Sequence, residues 1–342
     1  MKTILVTGAG GYIGSTLTAL LLEEGYKVIG LDRYFFGSDL LRDILDNPQF
    51  RLLKKDVRDV EASDLEGVDG VCDLAALSND PSGELDPDLT NSINHRGRVL
   101  MAQKAKEAGV KRYVLASSCS IYGAAESGNA STELSPPRPL TTYAKANLSA
   151  EQDILPLADS KFTVSVLRQA TVFGASRRMR FDLVINLMTL NAVQKGRIFV
   201  TGGGQQWRPL VHVKDTSRAF VALLNADPEK VNGEIFNVGN TNLQVLSIAY
   251  IVREAIPFPI EMQVVPDDLD KRNYNVSFDK INQVLGFTTT MSPAAGVSEI
   301  YEGLKSGALS PEPHMYTVNW YKQILDARKL VDRVMLNGRL LN

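Results

Sequence analysis

The first residues able to do chemistry form a glycine-rich turn. Thr7-Gly8-Ala9-Gly10-Gly11-Tyr12-Ile13-Gly14 lies between an apolar run, Lys2 to Val6, and a helical pattern through Leu17, Leu20, Leu21 and Leu22. Glycines in that place allow a tight bend, let the backbone approach a pyrophosphate, and let the helix pack close to the strand. The first helical N–H groups and the helix dipole then face the phosphates. A second run, Lys27 to Leu31, ends at Asp32, where a carboxylate would accept hydrogen bonds from adenosine ribose hydroxyls. The strand before and helix after supply the context a dinucleotide turn needs. A structural glycine turn in some other α/β protein is the alternative. Asp32 favours NAD, because a carboxylate repels a 2′-phosphate. Arg33 beside it leaves NADP open.

The elements that must position these residues alternate between strand and helix. Arg51 to Lys55 reads as a strand ending at Asp56, and Gly70 to Leu74 as another ending in Ala75-Ala76. A helix is expected from about Asp88 to Ala108, then a strand from Arg112 to Ala116, a helix from near Thr142, and a strand from Thr163 to Leu167. Such alternation predicts an α/β fold: a doubly wound parallel sheet with helices on both faces. Ligands then bind at the carboxyl ends of the strands. Asp32, Asp56, Ala75, Ser118 and Arg168 all fall there. The second half is less regular. Residues 124–139 read as a loop and candidate lid. The tail beyond Ser310 reads as a helix docked on the body or on a partner subunit.

Bulk properties narrow the class. The chain has 342 residues, enough for a large core and two domains, and a formal charge of −2, which gives no global field for nucleic acid or membrane. Cys72 and Cys119 lack metal or framework spacing, and the three histidines are scattered, so no metal is expected. Reduced thiols and the lack of a long apolar run point to the cytoplasm.

With these residues read, the chain resembles the extended short-chain dehydrogenase/reductase family, in its nucleotide-sugar epimerase/dehydratase branch. The matching pieces are Thr7-Gly8-x-x-Gly11-x-x-Gly14, Asp56-Val57, Leu74-Ala75-Ala76, Asn94-x-x-Gly97, Ser117 through Gly123, Tyr143 with Glu151, Leu167-Arg168 through Gly174, and Arg208 through Asp215. The resemblance implies a Rossmann domain with a smaller C-terminal substrate domain. The expected division is 1–168 plus about 209–239 for cofactor, about 169–208 plus 240–310 for substrate, and 311–342 as a helical tail. It implies NAD contacts from Gly8, Gly11, Tyr12, Ile13, Gly14, Asp32, Arg33, Asp56, Val57, Leu74, Ala75, Ala76, Ser117, Tyr143 and Asn147. It also implies a nucleoside-diphosphate sugar as substrate, bound by Ser118, Cys119, Ser120, Thr171, Arg180, Asn186, Arg208 and Arg272. A homodimer is expected through the helices near 94–108 and 143–158, where Ala144, Ala146 and Ala150 either permit close packing or face the sheet.

By that likeness Tyr143 is the acid–base residue and Ser118 shares a hydrogen bond with the substrate hydroxyl. A tyrosine titrates near 10 unaided, so it needs a nearby cation to act as a base near neutrality. The family places a lysine four residues after the tyrosine, and here that residue is Asn147. Lys145 is no substitute, since two positions along a helix turn it away while Asn147 shares the face of Tyr143. A cation ~4 Å away is worth about 4 kcal/mol at an effective dielectric near 20. Three readings follow: a slow or high-pH enzyme, an enzyme that borrows a cation from elsewhere, or a non-catalytic NAD(P)-binding sensor or scaffold. On sequence grounds Asn147→Lys should raise activity and lower its pH optimum.

Family dehydratases carry an Asp-Glu pair after the catalytic Ser/Thr. Here Cys119 and Ser120 stand there, which disfavours a 4,6-dehydratase. What remains is hydride and proton transfer, with carbon 4 as the expected position: epimerisation through a transient ketone, or net oxidation or reduction.

Overall fold

The computed structural model of this chain describes residues 1–123, 130–265 and 272–340. Part of the expected lid, and Asp270 and Lys271, lie outside them. Seven strands form the main sheet: β1 (Thr3–Thr7), β2 (Lys27–Asp32), β3 (Phe50–Lys54), β4 (Gly70–Asp73), β5 (Arg112–Ser118), β6 (Thr163–Gln169) and, later in the chain, Glu234–Val238. With that last strand at one edge, the order runs on through β6, β5, β4, β1 and β2 to β3, and every pairing is parallel. Parallel strands covered on both faces read as unbroken apolar runs, and β4 and β6 are buried at every position. One core lies where the helices Tyr12–Glu23 and Val213–Asn225 cover the sheet, through Leu17, Leu21, Phe220 and Leu224. A second lies under the helices Arg98–Glu107 and Thr142–Ile154, through Met101, Ala102, Ala150 and Ile154.

The helix expected over 88–108 is divided. Pro87–Asn91 and Arg98–Glu107 are joined by a wide, π-type turn, Ser92–Gly97. Such turns are rare and are found mostly as single-turn insertions in α-helices. Here the Asn94 carboxamide accepts from the Leu77 N–H at 2.8 Å and donates to its carbonyl at 3.0 Å. Gly97 sits against Arg58, where a Cβ would lie 2.9 Å from Cγ. After the wide turn Arg98 takes an inward, fully buried place.

Further along, β7 (Thr171–Phe173), β9 (Trp207–His212) and β11 (Thr241–Gln244) make a three-stranded sheet, once β8 (Arg197–Thr201) and β10, the strand Glu234–Val238 already described, are numbered. Strand β8 pairs with β12 (Glu261–Val265). These pieces close on their own apolar cluster, including Ile185, Ile198, Val200 and Val297.

The terminal helix, Thr317–Val334, docks by its first turns. Trp320 Nε1 donates to the Phe35 carbonyl at 2.8 Å, and the Tyr321 ring contacts Phe35 and Phe36. Farther on, Leu330 and Val334 are exposed. Ala144, Ala146 and Ala150 are buried within the chain itself, so they face the body rather than a free surface. Among the described residues no helix is long and apolar enough to cross a membrane, and no group of three or more His, Cys, Asp or Glu could hold a metal.

Candidate active site

A single cleft runs along the carboxyl ends of β1, β2, β4 and β5. At one end the chain leaves β1 through Gly8, whose φ is +69° and whose N–H donates to the Leu31 carbonyl at 2.8 Å. That left-handed conformation costs glycine little. A Cβ on Gly14 would lie 2.0 Å from the Gly8 carbonyl, so the turn and helix close only without one. The helix Tyr12–Glu23 starts with no side-chain cap and no acidic residue in its first turn. Its leading N–H groups therefore face the cleft with their dipole uncompensated. Thr7 ties the floor together, donating to Asp73 at 2.7 Å and accepting from the N–H groups of Leu74 and Ala75.

Asp32 lines the same end. Burial pushes its carboxyl upward in pKa, against the N–H groups of Tyr34 and Gly10 that donate to it at 2.7 and 2.9 Å. Asp56 is held at about 2, chiefly by the Arg58 guanidinium at 2.7 Å, and also pairs with Arg33 at 3.1 Å. Arg178 lies over the Phe36 ring and also lines the cleft. Burial lowers its pKa to about 10, and its Nε has no hydrogen-bond partner among the described residues. The uncapped helix start, the glycine floor and the Asp32 carboxylate fit a dinucleotide: phosphates at the helix, ribose at Asp32.

At the other end Tyr143 opens the helix Thr142–Ile154, which Thr141 caps by accepting from the Ala144 N–H at 3.1 Å. Gly83 lets a neighbouring turn pack directly on Tyr143, since a Cβ there would meet that of Tyr143 at 2.9 Å. Burial raises the phenol pKa and the Asp80 charge adds to this. A hydrogen bond with Ser118 and the charges of Arg98 and Arg180 pull the other way. Asn147, one turn on, is buried. It donates to the Tyr143 carbonyl at 3.0 Å and accepts from Arg98 Nη1 at 3.1 Å. Lys145 is exposed on the opposite face.

The cleft brings together Gly8, Gly11, Tyr12, Ile13, Gly14, Asp32, Arg33, Asp56, Val57, Leu74, Ala75, Ala76, Ser117, Ser118, Ser120, Tyr143, Asn147, Thr171, Arg180 and Arg272. Cys119, Asn186 and Arg208 do not line it. The Cys119 thiol points back to the Arg168 carbonyl at 3.4 Å, and burial pushes its pKa far up. Asn186 is fully buried and holds a turn, accepting from Gly174 N–H and donating to Tyr12 Oη and the Arg180 carbonyl. Arg208 donates to the carbonyls of Trp207 and Arg272. Arg272 reaches the cleft in an ion pair with Asp80, and Arg180 pairs with Asp182 at 2.8 Å.

Sequence reasoning missed Asp80, Tyr321 and, most consequentially, Arg98, all of which line the cleft. Arg98 did leave a signal. It shares a helical stripe with Met101, Ala102 and Ala105, a place where an arginine is out of pattern.

Residues 4–239 match the model of the NAD dependent epimerase/dehydratase family. The UDP-glucose 4-epimerase of Mycolicibacterium smegmatis is 29% identical over 314 residues, 88% of this chain and 98% of that one. The UDP-glucuronic acid decarboxylase 1 of Danio rerio is 27% identical over 308 residues, 87% of this chain and 71% of that one. MoeE5, solved in complex with UDP-glucose and NAD, superposes with a TM-score of 0.78 at 26% identity, covering 90% of this chain and all of the other.

Proposed function

Because this chain belongs to the NAD dependent epimerase/dehydratase family, and so uses NAD, we propose that it acts on a nucleoside-diphosphate sugar by hydride transfer at carbon 4. The product is either the epimer, formed through a transient ketone, or the net oxidised or reduced sugar. The observation that carries this reading is that Tyr143 and Ser118 line one cleft with the glycine turn and Asp32. NAD, when bound, supplies the hydride acceptor. Tyr143 exchanges the hydroxyl proton, and Ser118 holds that hydroxyl in line. The guanidinium groups of Arg180 and Arg272 border the sugar end and suit diphosphate oxygens. Water elimination from the sugar would need an acid after Ser118. Cys119 faces away and Ser120 offers only a neutral hydroxyl, so 4,6-dehydration is disfavoured.

A non-catalytic binder is the competing reading. The presence of Tyr143 and Ser118 in the cleft weighs against it, because cofactor binding alone has no use for a proton-exchanging phenol. The test is to denature the purified protein, identify the nucleotide released, and then supply sugar nucleotides with NAD. Retained NAD with isomerised sugar and no net reduction supports epimerisation. Stoichiometric reduced cofactor supports dehydrogenation. Bound NAD with no turnover on any sugar overturns the enzyme reading in favour of the binder.

A further inference from the structure

We propose that Arg98, held against Asn147, supplies the positive charge that Tyr143 needs, so that the asparagine marks a relocated cation rather than lost chemistry. The inference rests on the reading of Tyr143 as the proton-exchanging group.

Arg98 is about as buried as a side chain can be, at 1% exposure, and still borders the cleft. Its hydrogen bonds fix its orientation. Nε donates to Asp73 Oδ2 at 3.1 Å, and Nη2 donates to the carbonyls of Asp73 and Ala116. Nη1, at the opposite edge, donates to Asn147. The Asp73 countercharge thus sits on the side away from Asn147. It is further met by the hydroxyls of Thr7 and Tyr113, both donating at 2.7 Å. The result is a buried ion pair whose positive end is turned toward the helix of Tyr143.

Asn147 is the side chain this arrangement requires. Arg98 can only donate, so position 147 must present an acceptor to it; the Asn147 carboxamide does so, and its NH2 turns back to the Tyr143 carbonyl. A lysine would remove the acceptor that Nη1 now finds in Oδ1 and bring a second cation close to a buried guanidinium. Position 147 therefore cannot be judged without position 98, and the expectation that Asn147→Lys improves the enzyme is reversed.

The groups that act on Tyr143 come from several elements. Asp80, on the turn Asp80–Gly83, is itself paired with Arg272. Arg180, before the helix Val184–Lys195, is paired with Asp182. Arg98 lies on the helix behind, with Asp73 at the end of β4. Ser118, at the end of β5, adds a hydrogen bond. Arg98 touches no reacting atom in this scheme: it holds Asn147, and its charge acts on the phenol from behind.

The test is a double-mutant cycle on the full-length protein, read first by ultraviolet titration of the Tyr143 phenolate against Tyr143→Phe, and second by the pH profile of kcat. Arg98→Gln should raise the phenolate midpoint by about one pKa unit or more and cut kcat at neutral pH about tenfold. Asn147→Lys alone should lower the thermal midpoint and leave the phenolate no easier to form. The double variant should return kcat to within about threefold of the parent, so that lysine harms with Arg98 and helps without it. If Asn147→Lys alone lowers the phenolate midpoint and raises kcat, the proposal is overturned. That arm stands even if Arg98→Gln fails to fold. Persistence of turnover in Tyr143→Phe would sink the functional reading instead, while the phenolate titration would still decide the role of Arg98.

Discussion

Asp80 and Arg272 form an ion pair across 192 residues of sequence, and Asp80 is also the carboxylate whose charge opposes ionisation of Tyr143. Removing that charge should ease loss of the phenolic proton. Asp80→Asn is therefore expected to move the rising limb of the kcat profile for sugar oxidation to lower pH. The sign follows because Asp80 raises the Tyr143 pKa, so its neutralisation lowers it. A limb that stays put or moves upward would count against this electrostatic picture.

Tyr143→Phe keeps the ring and removes only the hydroxyl. General acid–base groups are worth roughly 10²–10⁴ in rate, so kcat should fall by that much while NAD binding persists. Titration calorimetry with NAD alongside turnover separates the two.

Gly14→Ala should abolish stable NAD binding and lower the thermal midpoint. The new methyl has no room, because the Gly8 carbonyl is rigid backbone held by Gly11 N–H at 2.9 Å. Unchanged NAD affinity would show that the turn does not meet the pyrophosphate.

Glu299 gives a stability prediction. Burial raises its pKa, but hydrogen bonds from His212, Lys214 and the Ala175 N–H outweigh this and hold it at about 2, below an ordinary 4.5. A group lowered in the folded state stabilises above its unfolded pKa and loses that contribution as pH falls. The loss should run from about pH 4.5 down to about 2. Glu299→Gln should flatten acid unfolding across that window, measured by circular dichroism.

Asn186→Leu should destabilise without altering KM for the sugar. It strips the partners from the Gly174 N–H and the Arg180 carbonyl, a cost of about 1–3 kcal/mol for each buried group left unpaired. A large KM effect with an unchanged thermal midpoint would return Asn186 to the substrate site.

Much of this was legible before any coordinates. The parallel α/β sheet follows from alternating runs, because strand and helix periods are local properties of the chain. The glycine turn, Gly8 to Gly14, is contiguous in sequence, and Asp32 ends the next strand. Asn147 and Lys145 were separable by helix periodicity alone, and the structure buries the first and exposes the second. The unbroken helix expected over 88–108 was not so readable, because the wide turn answers to Leu77, a partner 17 residues back.

From its sequence alone this protein is an α/β dinucleotide binder that resembles a nucleotide-sugar enzyme and lacks the expected lysine, since each of those features is a pattern within one segment. Only the tertiary structure decides what the missing lysine means. Arg98 lies 49 residues before Asn147, and no spacing rule links them. Their contact exists because the adjacent helices Arg98–Glu107 and Thr142–Ile154 pack on one face of the sheet. The facing of Cys119 away from the cleft and the arrival of Tyr321 from the far end of the chain have the same cause. Side-chain direction at a strand end, and contact between distant segments, are set by packing rather than by local pattern.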